Sequence, residues 1–499
     1  MKTYFRNYKL FGNSGHRQFI FGLVILLFVS YFVVFLHLDR LTLRVWDESC
    51  YLINAQNMLK NPHLFLVYNF NELPERFCTK PPLYVWIAAI SLKIMPNNPE
   101  LAIRMPAALF ALFSILLLYA FGYYYLKNFA SAMLSAVILL SSVGFFQWHI
   151  ARTGDTDTTF VFWSLFCCLS FFVYTVELGK KQMLALLLFG LGLLFATLTK
   201  GPGIIMLLPS FFMWLLLNKK LVATCKKPSF WIVFGTIATI VFTWYFMREQ
   251  LDPGFLQAVW DMEFKGRFEI IEPQTHEGNH ALFFLFRMFD QQYFMPWILF
   301  LFPALHIVIR KEKTKEIQLL KFIILVWFFC ILSISQSKTM KDWYDAIWYP
   351  LMALITAVSI IELIKKRQIT LSRTIFYSLL LFSCWPLSLI IKKNMFEKET
   401  QYLKPFLTAL RAEKYKTEKL FVYDQNFDCA MFFYIQEDQR KGFKSELWQN
   451  NIHTLPNNID VITINWKHEE EIRNHFVVKE IESMQECKLF HLLGRTDIQ

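Results

Sequence analysis

Charge is what this chain has least of: Asp, Glu, Lys and Arg make up 18% of its 499 residues, where a soluble domain carries about 25%. No Gly-rich phosphate loop and no dinucleotide fingerprint occurs, which argues against a fold that binds soluble nucleotide-sugars. No CxxC pair or Cys/His cluster suggests a metal centre. No internal repeat or low-complexity segment is evident. Apolar surface stands in place of charge. Hydrophobic residues reach 55%, and the 53 Phe outnumber the 39 acidic residues. Such a chain cannot cover itself with polar surface, which excludes both a soluble multidomain protein and intrinsic disorder. The net charge of +12 resembles that of a nucleic-acid binder until the cations are located.

A spanning helix needs about 20 mostly apolar residues, because the hydrocarbon core is about 30 Å thick. Runs at 18–38, 101–124, 129–149, 158–177, 183–199, 202–217, 229–247, 291–309, 318–334, 346–364 and 371–391 qualify, about eleven in all. Lys200-Gly201-Pro202 reads as a tight turn between two antiparallel spans. The apolar stretch 82–95, started by Pro81-Pro82, reads as an interfacial helix. Cations gather in alternate short loops: Lys2, Arg6, Lys9 and Arg17; Lys127; Lys180 and Lys181; Lys219, Lys220, Lys226 and Lys227; Arg310, Lys311, Lys313 and Lys315; Lys365, Lys366, Arg367 and Arg373. That is the positive-inside pattern, and it needs membrane lipid as partner but no nucleic acid. The first run has full spanning length and no small-residue cleavage site, so it is expected to stay as an anchor.

The predicted fold is therefore an all-α polytopic membrane protein with amphipathic interfacial helices in its first outer loop and a small C-terminal α/β soluble domain. Residues 1–392 are expected to form the membrane domain and 393–499 the extracytoplasmic one, with strands near 419–423, 460–465 and 487–493. The N-terminus is placed in the cytoplasm and the protein in the cytoplasmic (inner) membrane. Cys50 with Cys78, and Cys429 with Cys487, fall on the outer side; free buried thiols are expected for each pair, with disulfides, which that compartment permits, as the alternative.

Ionisable groups crowd the outer loops, and in membrane proteins such groups mark function. Asp47 and Glu48 begin an amphipathic stretch carrying Tyr51, Leu52, Ala55, Met58 and Leu59 on one stripe; they are either helix caps or a working pair of carboxylates. Lys80 precedes a Pro-started helix, where a cation serves a phosphate or simply snorkels to the interface. Asp155 and Asp157 flank Thr156 at another helix start, as a cap with a solvated neighbour or as a base or metal pair. Lys200 lies at the 199–202 turn, Glu263, Lys265 and Arg267 with His276 and His280 in the long loop, and Lys338 before the tenth run.

The order of these motifs resembles that of the bacterial GT-C glycosyltransferases. The succession is Trp46-Asp47-Glu48, Lys80-Pro81-Pro82-Leu83-Tyr84-Val85-Trp86, Arg104 with Pro106, Asp157 with Phe160 and Trp163, Thr199-Lys200-Gly201-Pro202, Glu263 with Arg267-Phe268, and Ser337-Lys338 followed by Tyr349-Pro350. It is most similar to the lipid A aminoarabinose transferases and the wider protein O-mannosyltransferase family, over about 40–365. The resemblance implies transfer of a sugar from a polyprenyl-phosphate carrier to an acceptor (lipid, glycan or protein) on the outer face, with inversion. It implies Asp47 as general base with Glu48 in support, Asp157 as the second acidic position, and Lys80 and Arg267 as holders of the carrier phosphate. Lys200, Lys338, Glu263 and Tyr84 join them as substrate-binding positions. Aminoarabinose transferases carry Glu where this chain has Thr79, and His where it has Phe264. Those positions contribute to a metal site, so no cofactor is predicted and an equivalent divalent metal is not expected.

The residue types suit the chemistry without the resemblance. A hydroxyl attacking an anomeric carbon needs a carboxylate to take its proton, and the departing phosphate develops charge that Lys and Arg stabilise. The competing class is a transporter or flippase of lipid-linked sugars, whose ionisable groups would sit near the bilayer midplane on broken helices. Here they gather at one face. The loop pattern is tested with tags in 218–228 and 425–445: a membrane-impermeant reagent on intact cells should label the second and spare the first.

Overall fold

The structure is a computed structural model that describes residues 15–44, 46–269, 280–287, 289, 294, 296–309, 314–365, 369–399, 401–413, 419–424 and 428–496. His276, the loop cations Lys2, Arg6, Lys9, Arg310, Lys311, Lys313, Lys366 and Arg367, and the side chain of His280 lie outside the described residues.

Apolar runs become helices because in lipid each peptide group must bond within its own segment. Helices α1 (His16–Ser30), α2 (Trp46–Lys60), α3 (Leu83–Ile94), α4 (Pro99–Ala120), α5 (Phe129–Leu140), α6 (Asp157–Val176), α7 (Gly179–Lys200) and α8 (Leu208–Leu217) come first. Long helices Pro228–Leu251, Lys315–Ile334, Trp348–Ile364 and Ile369–Phe396 follow. Local signals set several starts. Asn98 caps α4 by accepting from the Leu101 N–H, with Pro99 behind it, and Asn128 caps α5 from Ser131.

Among the described residues, 8 helical runs, not about eleven, are long and apolar enough to span. One of them, Gly179–Leu217, contains 39 residues and reverses inside. Gly201 adopts φ 53°, Trp214 Nε1 donates to Thr175 Oγ1 at 2.9 Å, and Lys227 Nζ donates to Gln182 at 2.8 Å. The end of α8 thus lies beside the start of α7, as the Lys200-Gly201-Pro202 turn implies. Leu83–Ile94, Phe129–Leu140 and Trp297–Val308 are shorter apolar helices. The sequence places full spans at 129–149 and 291–309; the structure shortens the first, and residues 291–293 and 295 of the second lie outside the described residues. Where α5 ends, the Ser141 and Ser142 hydroxyls bond back to the Val137 and Ile138 carbonyls at 2.8 and 2.7 Å, which satisfies polar groups at that buried end.

The helix at Asp342–Ile364 is the axis of the bundle, with 94% of its apolar window buried. Pro228–Leu251 and Leu371–Phe396, at 11% and 22%, form the outside, where their exposed Trp231, Phe242 and Trp385 meet only apolar surroundings once in lipid.

The C-terminal region holds five strands, β1 (Leu420–Tyr423), β2 (Ser445–Trp448), β3 (Asp460–Thr463), β4 (Phe476–Met484) and β5 (Cys487–Arg495), in the order β2-β1-β3-β5-β4. The β1–β2 and β1–β3 pairs are parallel, and β5 pairs antiparallel with β3 and β4. Strands β2 and β4 are the two that periodicity misses. They are the sheet edges, and Lys479, Glu480 and Glu482 on β4 give it the charge that keeps an edge from pairing further.

Helix Cys429–Arg440 packs on α2, and there Cys50 is bonded to Cys429 with Cα atoms 5.7 Å apart. This corrects the expectation of free thiols at Cys50 and Cys429, and neither alternative pairing forms: Cys78 and Cys487 are free thiols, because tertiary packing rather than loop proximity sets which sulfurs meet. Tyr434 Oη accepts from the Leu43 N–H at 2.7 Å, and Lys404 pairs with Glu100, so the sheet region is tied to the first outer loop.

Beneath that junction Arg104 and Glu48, with side chains 1% and 0% exposed, form a two-pronged ion pair at 2.8 and 3.0 Å. Arg104 spends its other donors on the carbonyls of Leu38, Leu41 and Thr42. Glu48 accepts further bonds from the N–H groups of Arg44 and Gly154, both at 2.9 Å. Removing one partner of a buried pair costs about 3–5 kcal/mol, so Glu48→Gln and Arg104→Met should each lower the unfolding temperature in detergent markedly. Peptide mapping without reductant should recover a Cys50–Cys429 peptide, with Cys78 and Cys487 open to alkylation under denaturing conditions. Cys429→Ser should lose about 2–4 kcal/mol of stability.

Candidate active site

Helix α2 begins at the outer edge of the bundle, so its first turn presents Asp47 beside Glu48. Their fates differ. Glu48 points inward to Arg104, whereas the Asp47 side chain is half-buried, 26% exposed. The segment 149–157 returns across the same place because Gly154 fits against Glu48 and Ile103, where a Cβ would lie 2.6 Å from Ile103. That contact delivers His149, Asp155 and Asp157 to Asp47. His149 Nδ1 lies 2.8 Å from Asp155 Oδ2 and 3.6 Å from Asp47 Oδ2.

The cations come from three other segments. Lys80, just ahead of α3, donates to Tyr51 Oη at 3.1 Å. Lys200, at the α7 end, pairs with Asp157. Arg267 grips Glu263 through Nε and Nη2 at 2.9 and 2.6 Å, and its carbonyl accepts from Ser337 Oγ and the Lys338 N–H at 3.0 and 2.9 Å. Asp157, Lys200, Glu263, Arg267 and Tyr344 line a cavity of about 390 Å³ whose other walls include Phe160, Ile205, Met206, Phe264 and Phe268. The cavity is apolar, with its ion pairs set into the wall.

Burial and charge act against each other here. Burial raises the pKa of Asp47, and the neighbouring Asp155 charge adds to it, more than Lys80, His149 and Lys200 offset. Asp155 is pushed up by burial, but the His149 hydrogen bond and the Lys80, His149 and Lys200 charges hold it below the ordinary range. For His149, burial disfavours the cation, yet Asp155, Asp47 and Asp157 outweigh it and raise its pKa. Lys80 is likewise desolvated but held charged by Tyr51, Asp47, Asp155 and Glu263.

Of the residues singled out in the sequence, Asp47, Asp157, Lys80, Lys200, Glu263 and Arg267 come together. Glu48 supports from below. Tyr84 does not reach the cavity: it is buried and its hydroxyl donates to the Ile103 carbonyl at 2.8 Å. Lys338 is exposed, and only its backbone meets Arg267. His149 was not singled out by sequence reasoning, since neither its neighbours nor its spacing distinguish it from any loop histidine; Asp155 stood only as a member of an acidic pair.

Two places bear on a metal. At Glu263, Thr79 Oγ1 donates to Oε1 at 3.3 Å and Arg267 takes Oε2, while Phe264 stacks on Trp260 at 5.2 Å. A hydroxyl and a guanidinium there do not make a coordination sphere. Asp47, His149 and Asp155 bring three donor atoms within 4.8 Å of one another. His149 and Asp155 are hydrogen-bonded to each other at 2.8 Å, and the Lys80 and Lys200 charges already act on the same carboxylates.

Residues 79–246 match the family described as dolichyl-phosphate-mannose-protein mannosyltransferase. An uncharacterised Aquifex aeolicus protein is 29% identical over 70% of this chain and 66% of its own length. The undecaprenyl phosphate-alpha-4-amino-4-deoxy-L-arabinose arabinosyl transferase of Wigglesworthia glossinidia brevipalpis is 28% identical over 65% of this chain and 56% of its own. The chain thus spans less than two thirds of either curated relative. Among solved structures, ArnT from Cupriavidus metallidurans bound to undecaprenyl phosphate superposes with a TM-score of 0.69 at 13% identity, covering 94% of this chain and 97% of that one. The oligosaccharyltransferase AglB of Archaeoglobus fulgidus, with an inhibitory peptide and a dolichol-phosphate, gives 0.56 at 12% identity over 96% and 74%. Matched segment, curated relative and solved structures agree, and the chain has the fold of ArnT and AglB.

Proposed function

We propose that this protein is a membrane glycosyltransferase that moves a sugar from a polyprenyl-phosphate carrier to an acceptor on the outer face of the cytoplasmic membrane, inverting the anomeric carbon. The observation that carries the reading is the cavity: a greasy wall suited to a prenyl chain, with Lys200 and Arg267 set beside Asp157 and Glu263 and the Asp47 cluster adjoining. The named activity of the Wigglesworthia relative and the polyprenyl phosphates bound to ArnT and AglB support it. In this reading 1–392 performs the transfer and 393–499 is an extracytoplasmic domain.

The acceptor hydroxyl attacks the anomeric carbon and gives its proton to Asp47. The bond from that carbon to the phosphate oxygen breaks, and its electron pair leaves on the phosphate. Lys80 and Arg267 face the developing charge in a site with little water, where a fixed cation acts most strongly. Glu263 orients Arg267, and Lys200 neutralises Asp157. The acceptor is a lipid, glycan or protein by class; the chemistry asks only for a nucleophilic hydroxyl or amine.

Membranes containing the protein should consume a polyprenyl-phosphate sugar and release polyprenyl phosphate. A charge-assisted hydrogen bond is worth about 1.5–3 kcal/mol, so Lys80→Ala and Arg267→Ala should each lose roughly 10- to 150-fold in kcat/KM while remaining folded. Asn caps a helix about as well as Asp, so Asp47→Asn isolates proton acceptance and should cost at least about 100-fold in turnover. Because Asp47 must be ionised and its pKa is raised, wild-type rates should fall on acidification through a value above the ordinary ~3.9 of aspartate. Wild-type kinetics in Asp47→Asn would remove it as the base.

A further inference from the structure

The transfer roles above leave one group beside Asp47 unused. His149 adopts φ 63°, a left-handed conformation uncommon outside Gly, Asn and Asp and kept only where surrounding contacts over-determine it. Three contacts do so here. Its N–H donates to Thr153 Oγ1 at 3.1 Å. Its ring stacks on Trp343 with centroids 3.6 Å apart and planes at 16°. Its Nδ1–H donates to Asp155 at 2.8 Å, and Asp155 is itself held by the Thr156 N–H. Place, plane and edge of the imidazole are thus each set by a different partner. The edge so fixed is the one that faces Asp47 Oδ2 at 3.6 Å.

We propose that His149 is a positioning residue for the reaction: aimed by Asp155 and clamped by Trp343, its imidazolium, 3.6 Å from Asp47 Oδ2, holds the Asp47 carboxylate by charge in the orientation that accepts the proton of the incoming nucleophile. The proposal rests on the reading of Asp47 as the base. It concerns turnover and not donor binding, since Lys80, Lys200 and Arg267 come from other segments and none of them bonds His149.

The test compares Asp47→Asn, Asp155→Asn, His149→Leu and His149→Asn in purified protein, with kcat and KM measured on a polyprenyl-phosphate sugar, thermal unfolding, and metal analysis. His149→Leu removes the charge and should lower kcat at least about tenfold, less than the full loss of a buried pair, with the donor KM changed less than about threefold. Asn tolerates positive φ but carries no charge, so His149→Asn should keep the loop conformation and lose kcat as His149→Leu does. Asp155→Asn removes the acceptor that aims the ring and should show the same kcat loss at unchanged KM, which keeps the test decisive if His149→Leu does not fold. Wild-type kcat in Asp155→Asn or in folded His149→Leu overturns the proposal. Wild-type kcat in folded His149→Asn shows that the charge is not needed and overturns it too. A stoichiometric divalent ion in the wild type that is missing from His149→Leu makes the residue a ligand instead and also overturns it. If Asp47→Asn alone keeps full activity, the base assignment fails, and this inference falls with it.

Discussion

The end of the bundle that carries Asp47 is arranged around the buried Glu48–Arg104 pair. A desolvated charge is tolerated only when paired and hydrogen-bonded throughout, and here both partners are. Arg104 gathers the carbonyls that follow the first span, while Glu48 takes N–H groups from Arg44 and Gly154. One ion pair therefore joins the exit of α1, the start of α2, the body of α4 and the 149–157 segment. Asp47 is adjacent in sequence to Glu48, and Asp155 adjacent to Gly154. Fixing the inner pair fixes the two outer carboxylates relative to each other.

The site built on that anchor is a set of compensated charges in an apolar wall. Asp157 with Lys200, Glu263 with Arg267, and Asp155 with His149 are each paired within one hydrogen bond. Pairing is what allows so many ionisable groups to share a place with little water. It also leaves Asp47 as the carboxylate whose raised pKa reflects burial and a like-charged neighbour more than an ion pair. Groups whose environments drive their pKa values apart are the usual sign of divided acid–base labour. The same environment strengthens every cation that faces a leaving phosphate, since nothing must reorganise when charge develops.

The sheet region is bound to this machinery rather than strung from it. The Cys50–Cys429 bond, the Tyr434 contact to Leu43 and the Lys404–Glu100 pair all end on α2, the stretch before it, or the start of α4. A domain fixed to the helix that carries Asp47 limits where that helix can move. Its polar edges, β2 and β4, face away from pairing.

Much of this was legible in the residues alone, and the division has a physical basis. Membrane residence, the helical class, the turn at Lys200-Gly201-Pro202 and the gathering of ionisable groups at one face follow from composition, run length and loop charge. These are local quantities, and lipid enforces them segment by segment. The ordered motifs also pointed to Asp47, Asp157, Lys80, Lys200, Glu263 and Arg267, which the fold brings to one place. Tertiary structure alone decided that Tyr84 and the Lys338 side chain stand apart. It alone decided that Cys50 meets Cys429 and that His149 lies against Asp47. Each of these turns on the separation of groups tens to hundreds of residues apart in the chain, and no local period or propensity encodes a distance of that kind.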